Sequence, residues 1–93
     1  MYVAVVQAEL HLPLARSLKD KRQVLNRLKD RMRNLHAAVA EVDHADLWQR
    51  AALGMAVVSG NAEGLTTVLS DLRAIVDRQH DVTVLDWIVR HYE

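Results

Sequence analysis

Apolar and polar positions alternate at the start of the chain and then change to a helical spacing. In residues 2–12 every second residue is apolar and faces one side, which predicts a strand with one buried face. Pro13 ends this strand because it has no backbone donor for a sheet. Residues 17–35 carry apolar side chains at three- and four-residue intervals, which predicts an amphipathic helix capped by Ser17.

The same two spacings predict the remaining elements. They are a short second strand at 36–42, a third strand at 51–60 that is apolar on both faces, a second helix at 62–79 capped by Asn61, and a last strand at 81–92. In the last strand Trp87 alternates with Leu85 and Val89, so Trp87 is expected in the core. The residues between the second and third strands are polar and predict a hairpin loop.

The order of these elements predicts the fold class. Strand, helix, strand, strand, helix, strand with two right-handed crossovers is typical of a ferredoxin-like α+β sandwich. We expect one four-stranded antiparallel sheet with both helices on one face and the first and third strands in the centre. Ninety-three residues are enough for one hydrophobic core, so residues 1–93 are expected to form a single domain.

Composition narrows the classes of function. The sequence has no cysteine, which excludes disulfides, thiolate metal ligands and a thiol nucleophile. The first residues lack the basic leader of a signal peptide, and the apolar runs are far shorter than a membrane span. A cytoplasmic location without membrane contact is therefore the expectation.

Charge is distributed unevenly, although the formal net charge is zero. Residues 16–33 contain eight Lys and Arg against two Asp, whereas the rest of the chain contains four Arg against ten Asp and Glu. The first helix is therefore a cation-rich element in an acidic protein. Such a distribution predicts either an external polyanion or an internal acidic partner for the helix.

The helical spacing separates these cations into two groups. Four of them lie together on one flank of the apolar stripe and are the predicted nucleic-acid contacts: Lys19, Arg22, Lys29 and Arg33. Lys21 instead falls inside the apolar arc, where an ammonium group requires a partner. The acidic segment after the second strand offers Glu41 and Asp46, so we expect Lys21 to form a structural ion pair with one of them.

Other side chains that could bind a ligand or act in catalysis give weaker signals. Trp48 in the loop is the candidate for stacking on a base, although a plug over the core beside Leu47 is the favoured interpretation. His44 between Asp43 and Asp46 lacks a second histidine at ligand spacing, so no metal site is expected. The sequence contains no phosphate-binding glycine loop and no nucleophile elbow. We therefore expect no enzymatic activity, no cofactor and no small-molecule substrate.

Two motifs carry a resemblance to a known family. The segments "SLKDKRQVLNRLKDRMR" and "AEVDHADLWQRAALGMAVVS", followed by a second helix and a terminal strand, resemble the YlxP-like family of small bacterial proteins. The resemblance extends over essentially the whole chain and implies a ferredoxin-like fold in a bacterial cytosolic protein. Such genes lie among translation-factor genes in some bacteria, which implies an association with translation. The family has no established catalytic residues.

These observations predict a non-enzymatic binding module. The first expectation is weak binding to structured RNA or ribosomal particles through the basic helix and its phosphate contacts, without strong sequence preference. Base stacking on the sheet is not expected, because the third strand has no aromatic residue. The alternative is protein–protein assembly, with a homodimer formed through the sheet face or an edge strand.

Overall fold

The strands and helices follow one another in the predicted order and form one antiparallel sheet with two helices. The computed structural model describes residues 1–92. The elements are β1 (Tyr2–His11), α1 (Leu18–Arg33), β2 (Ala38–Asp43), β3 (Arg50–Ser59), α2 (Ala62–Asp77) and β4 (Thr83–Tyr92). The sheet order is β2-β3-β1-β4, so β1 and β3 are central and β2 and β4 are the edges. The predicted ferredoxin-like α+β fold is confirmed.

Both helices cover the same face of the sheet. The side chains that β1 and β3 direct to this face form one core with the buried stripes of α1 and α2. The largest fully buried apolar members are Leu10, Leu12, Leu25, Leu28, Met32, Leu53, Met55 and Leu72. The opposite face, called the open face below, exposes apolar side chains that include Val5, Val58 and Ile88.

Each helix begins at its predicted cap. The Ser17 hydroxyl accepts a hydrogen bond from the backbone N–H of Asp20 at 3.1 Å, and Asn61 Oδ1 accepts one from the N–H of Gly64 at 2.6 Å. The Asp20 carboxylate accepts from the N–H of Arg16 at 2.9 Å. In a capping box this carboxylate would accept the N–H of the N-cap residue Ser17. Here it accepts the N–H of the preceding residue.

Both helices end slightly earlier than the apolar spacing indicates. α1 ends at Arg33, and α2 ends at Asp77. After α1 the backbone turns at His36, which has a φ of 63°, while Leu35 still packs against the core outside the helix. Each helix has 16 residues, and within residues 1–92 no helix combines the length and hydropathy that crossing a bilayer requires.

A bulge in β4 changes which side chains face the core. The pairing of β4 with β1 shifts by one residue opposite Glu9 and Leu10, and Leu85 is the extra residue. Trp87 packs against the core as expected, and Val89 does as well, but Leu85 is exposed. The alternation of buried and exposed side chains therefore does not continue through the bulge.

Candidate nucleic-acid interface

The side chain of Lys21 is buried in α1, and four oxygen atoms surround its ammonium group. Lys21 is 1% exposed, and its Nζ lies 2.9 Å from Glu41 Oε2 in β2. Nζ also donates to the backbone carbonyls of His44 at 2.8 Å, Ala45 at 3.2 Å and Arg50 at 3.3 Å. An ammonium has three N–H donors, so these oxygens satisfy it fully and neutralise its charge inside the protein.

The backbone conformation of the β2–β3 loop determines which of the two predicted acidic partners contacts Lys21. The predicted pairing with Glu41 is present, whereas Asp46 is not among the Lys21 acceptors found within residues 1–92. The loop turns at His44, which has a φ of 63°, and the N–H of Leu47 closes the turn on the His44 carbonyl at 3.0 Å. Backbone carbonyls of the turn therefore occupy the positions that the Asp46 carboxylate was expected to fill.

Glu9 in β1 holds the same loop from the other side. Glu9 Oε2 lies 3.0 Å from His44 Nε2 and 3.1 Å from Arg50 Nη2. The backbone carbonyls of these two residues contact Lys21, so α1 and β1 together fix the loop. The sequence pattern identified Glu9 only as a polar residue of the open face, because alternation does not reveal which side chain lies opposite on the next strand.

The segment that contains Asp43 and His44 makes contacts that hold the β2–β3 loop. The His44 ring contacts Glu9, and the Asp43 carboxylate accepts the backbone N–H of His44 at 2.8 Å. In the part of the chain that the structure describes, no three His, Cys, Asp or Glu side chains converge in a way that could hold a metal ion. The contacts of this segment thus order the loop.

Four cations form the cationic surface of α1, defined as Lys19, Arg22, Lys29 and Arg33. Lys29 is half-buried and the other three are exposed. At 100° per residue they occupy an arc of about 80° beside the buried stripe. Arg33 Nη1 lies 3.4 Å from Asp30 Oδ1, an exposed pair that contributes little to stability. The other three form no ion pair with a carboxylate of residues 1–92.

The orientation of α1 leaves this surface accessible. On the opposite flank, Arg27 Nη2 lies 3.1 Å from Asp81 Oδ2 in the connection between α2 and β4. α1 packs against both β2 and α2. Since Arg27 faces the connection that leads into β4, the cationic surface lies on the flank toward the β2 edge.

Trp48 lies on the protein surface near the start of α1. It is 53% exposed, and the neighbouring Leu47 is exposed as well, so the favoured expectation of a plug over the core is wrong. Gln49 Nε2 donates to the carbonyls of Pro13 and Ala15, each at 3.2 Å, and fastens the loop beside α1. Because backbone contacts and Gln49 hold the loop, the indole is left outside. The loop that carries Trp48 therefore lies near the N-terminal end of α1.

Comparison of sequences assigns the chain to a family. The model of a family described as "Protein of unknown function (DUF503)" matches residues 3–89. The chain belongs to the DUF503 family. In Bacillus subtilis (strain 168), the "Uncharacterized protein YlxP" is 32% identical over 78 residues, which cover 78% of this chain and 85% of that protein. The predicted membership of a YlxP-like family is confirmed, and neither description assigns an activity.

Solved structures share the fold of this DUF503 protein. The de novo designed protein Foldit4 superposes with a TM-score of 0.56 at 10% identity, covering 100% of this chain and 98% of the design. The de novo designed protein Ferredog-Diesel gives a TM-score of 0.53 at 7% identity, and the match covers 98% of this chain and 84% of the design. Similarity at such low identity shows a common fold and carries no information on function.

Proposed function

We propose that this protein is a non-enzymatic module that binds structured RNA, including RNA on ribosomal particles, through the cationic surface of α1. The observation that supports the proposal is the division of the cations in α1. Lys21 is neutralised internally by Glu41, and Arg27 pairs with Asp81. The acidic loop therefore does not account for the remaining positive charge, which faces solvent beside the β2 edge. Phosphates are the anions that such a surface attracts.

The dimensions of the surface suit an extended polyanion. Lys19 and Arg33 lie fourteen positions apart in one continuous helix, which corresponds to about 21 Å along the axis. Asn26 lies within the same arc and adds an amide that can donate to phosphate oxygens. An array of this length fits several phosphates in a row better than a single small anion.

Side chains, and not the start of the helix, are expected to make the contacts. The Ser17 hydroxyl already accepts the N–H of Asp20, and the Asp20 carboxylate adds negative charge at this terminus. Both features reduce the attraction of the first turn for a phosphate. The proposed interface therefore consists of the four cations, with Trp48 as a stacking group beside the first of them.

The two central strands present no aromatic side chain on the open face for stacking with RNA bases. In RNA-recognition motifs, aromatic side chains of the two central strands stack on bases. Here β3 has no aromatic residue, and Tyr2 in β1 packs with the core on the helix side. The contacts are thus expected to involve mainly phosphates, which position a protein on RNA without reading its sequence.

Charge reversal on the cationic surface tests the proposal. The variant Lys29→Glu/Arg33→Glu should lose binding to a structured RNA in a filter-binding or polarisation assay, with an unchanged circular dichroism spectrum. The control Arg31→Glu/Arg78→Glu changes the net charge equally at exposed positions outside the surface and should retain most of the affinity. An equal loss of RNA affinity in both variants would indicate attraction by net charge alone. Full RNA affinity in both variants would contradict the proposal.

Capture from bacterial lysate tests the partner class. Crosslinking followed by purification of the wild-type protein should recover RNA or ribosomal particles, and treatment with nuclease beforehand should abolish this recovery. The Lys29→Glu/Arg33→Glu protein should recover much less under the same conditions. Recovery that is insensitive to both nuclease and charge reversal would argue against RNA as the partner.

A further inference from the structure

The outer edge of β4 is a long strand edge without a neighbour. β4 runs from Thr83 to Tyr92, ten residues, and hydrogen-bonds only with β1 among the strands of residues 1–92. On its other side no strand of residues 1–92 pairs with its backbone, and the N–H of Trp87 donates to Oδ1 of the neighbouring Asp86 at 2.9 Å. Pairing with another strand would replace this local bond. Ile88 and Tyr92 on this strand are 42% and 53% exposed, so apolar surface accompanies the free edge.

The other edge of the sheet shows how such an edge is normally protected. β2 has only six residues, its pairing with β3 is interrupted by a bulge at Val42, and it carries Glu41 and Asp43. Shortness, a bulge and charges all discourage pairing with a second chain. β4 has neither lysine nor proline, and its bulge at Leu85 lies toward one end. The segment from Asp86 onward remains regular.

The charges on this regular segment are arranged symmetrically. Asp86, Ile88 and Arg90 lie on the open face, opposite Glu9, Gln7 and Val5 of β1. Asp86 and Arg90 are each two residues from Ile88, in opposite directions along the strand. Neither forms an ion pair with a side chain of residues 1–92. A two-fold axis through Ile88 would therefore place opposite charges face to face.

We propose that a second copy of this chain pairs with the first along β4, antiparallel about a two-fold axis at Ile88. In this register Ile88 lies opposite its own copy, and Asp86 lies opposite the partner's Arg90 in two equivalent ion pairs. On the helix side Trp87 lies opposite the partner's Val89, which extends the core across the junction. The two sheets become one sheet of eight strands, and the exposed edge of β4 disappears.

This dimer is independent of the proposed RNA contacts. β4 lies at the edge of the sheet opposite β2, whereas the cationic surface of α1 lies on the β2 side. No residue of the cationic surface takes part in the junction. Loss of dimerisation and loss of RNA binding are therefore separable by mutation.

Reciprocal charge reversal tests the register. Asp86→Arg places two arginines opposite each other, and Arg90→Asp places two aspartates opposite each other, so each variant should weaken the dimer by about tenfold. The double variant Asp86→Arg/Arg90→Asp restores both attractive pairs and should dimerise like wild type. A mixture of the two single variants should form heterodimers more tightly than either forms homodimers. The readout is sedimentation velocity over a concentration series.

A single cysteine tests the contact at the axis without disturbing the charges. Because the chain has no cysteine, Ile88→Cys introduces a unique thiol that should form a disulfide-linked dimer on mild oxidation. Val42→Cys at the β2 edge and Val58→Cys on the open face are exposed controls that should crosslink far less. A wild-type protein that stays monomeric at millimolar concentration would overturn the proposal. Unchanged dimer affinity in both single charge-reversal variants would also overturn it. So would disulfide crosslinking through Val42→Cys or Val58→Cys in place of Ile88→Cys.

Discussion

The ammonium group of Lys21 lies 2.9 Å from a carboxylate oxygen of Glu41, and this contact joins α1 to β2 close to the start of the β2–β3 loop. It also determines how the positive charge of α1 is used. One cation is paired inside the protein and orders the loop, while three of the four cations on the adjacent flank are exposed and Lys29 is half-buried. The same helix thus has a structural cation and a separate set of cations available to a polyanion.

We predict that Lys21→Met lowers the free energy of unfolding by about 2–4 kcal/mol. Methionine preserves the apolar stem, but it leaves the Glu41 carboxylate and three carbonyls without their donor. Denaturant unfolding followed by circular dichroism measures the effect.

The exposed Lys19→Met serves as the matched control and should change stability by less than about 0.5 kcal/mol. The double variant Lys21→Met/Glu41→Leu should recover part of the loss, because no unpaired carboxylate remains. If Lys21→Met were as stable as Lys19→Met, the ion pair would not be the element that orders the loop.

The sequence predicted this pair in part, and the reason for the limit is physical. Helical periodicity places Lys21 on the apolar arc, and a buried ammonium must be compensated, so an acidic partner nearby could be anticipated. The choice of Glu41 over Asp46 depends on the left-handed turn at His44, which periodicity does not describe. The contact of Glu9 with the same loop depends on the register between strands.

The fold could be predicted almost completely, whereas loops and bulges could not. Element order and one apolar stripe per helix suffice for the ferredoxin-like arrangement. The exposure of Leu85 follows from a one-residue bulge, and that of Trp48 follows from a loop held by its backbone. Both features arise from local backbone geometry that the pattern of apolar residues leaves undetermined.

Close packing at the β2 bulge leads to a second prediction. A Cβ atom on Gly54 would lie 2.8 Å from Val42 Cγ1, so Gly54→Ala forces Val42 to move. We expect a loss of about 1 kcal/mol in the free energy of unfolding, at the lower end for overpacking because Val42 is exposed.

Two comparisons isolate this clash. Gly60→Ala meets no atom within 4 Å and should leave stability unchanged or slightly improved. Val42→Ala/Gly54→Ala removes the clashing methyl groups and should be more stable than Gly54→Ala alone. Equal stability of the two single glycine variants would show that the strand adjusts without cost.

Trp48 provides a third prediction, which concerns binding and not folding. Trp48→Ala should weaken RNA binding by about fivefold to a hundredfold through loss of stacking, while Trp48→Phe should retain much of the affinity. Stability should change little, because the side chain is largely in solvent.

Fluorescence offers an independent readout of the same contact. The chain has two tryptophans, so Trp87→Phe leaves Trp48 as the only indole. RNA should quench the emission of this variant in proportion to binding. Unchanged emission together with full affinity in Trp48→Ala would remove Trp48 from the proposed interface and leave the cationic surface alone.

The salt dependence of RNA affinity measures how many phosphate contacts the cationic surface makes. Four phosphate contacts from Lys19, Arg22, Lys29 and Arg33 predict a slope of about −3 when the logarithm of the association constant is plotted against that of salt concentration. For Lys29→Glu/Arg33→Glu, where binding is measurable at low salt, the slope should fall to about −1. A slope near zero for wild type, or an unchanged slope in the double variant, would contradict RNA binding through the cationic surface of α1.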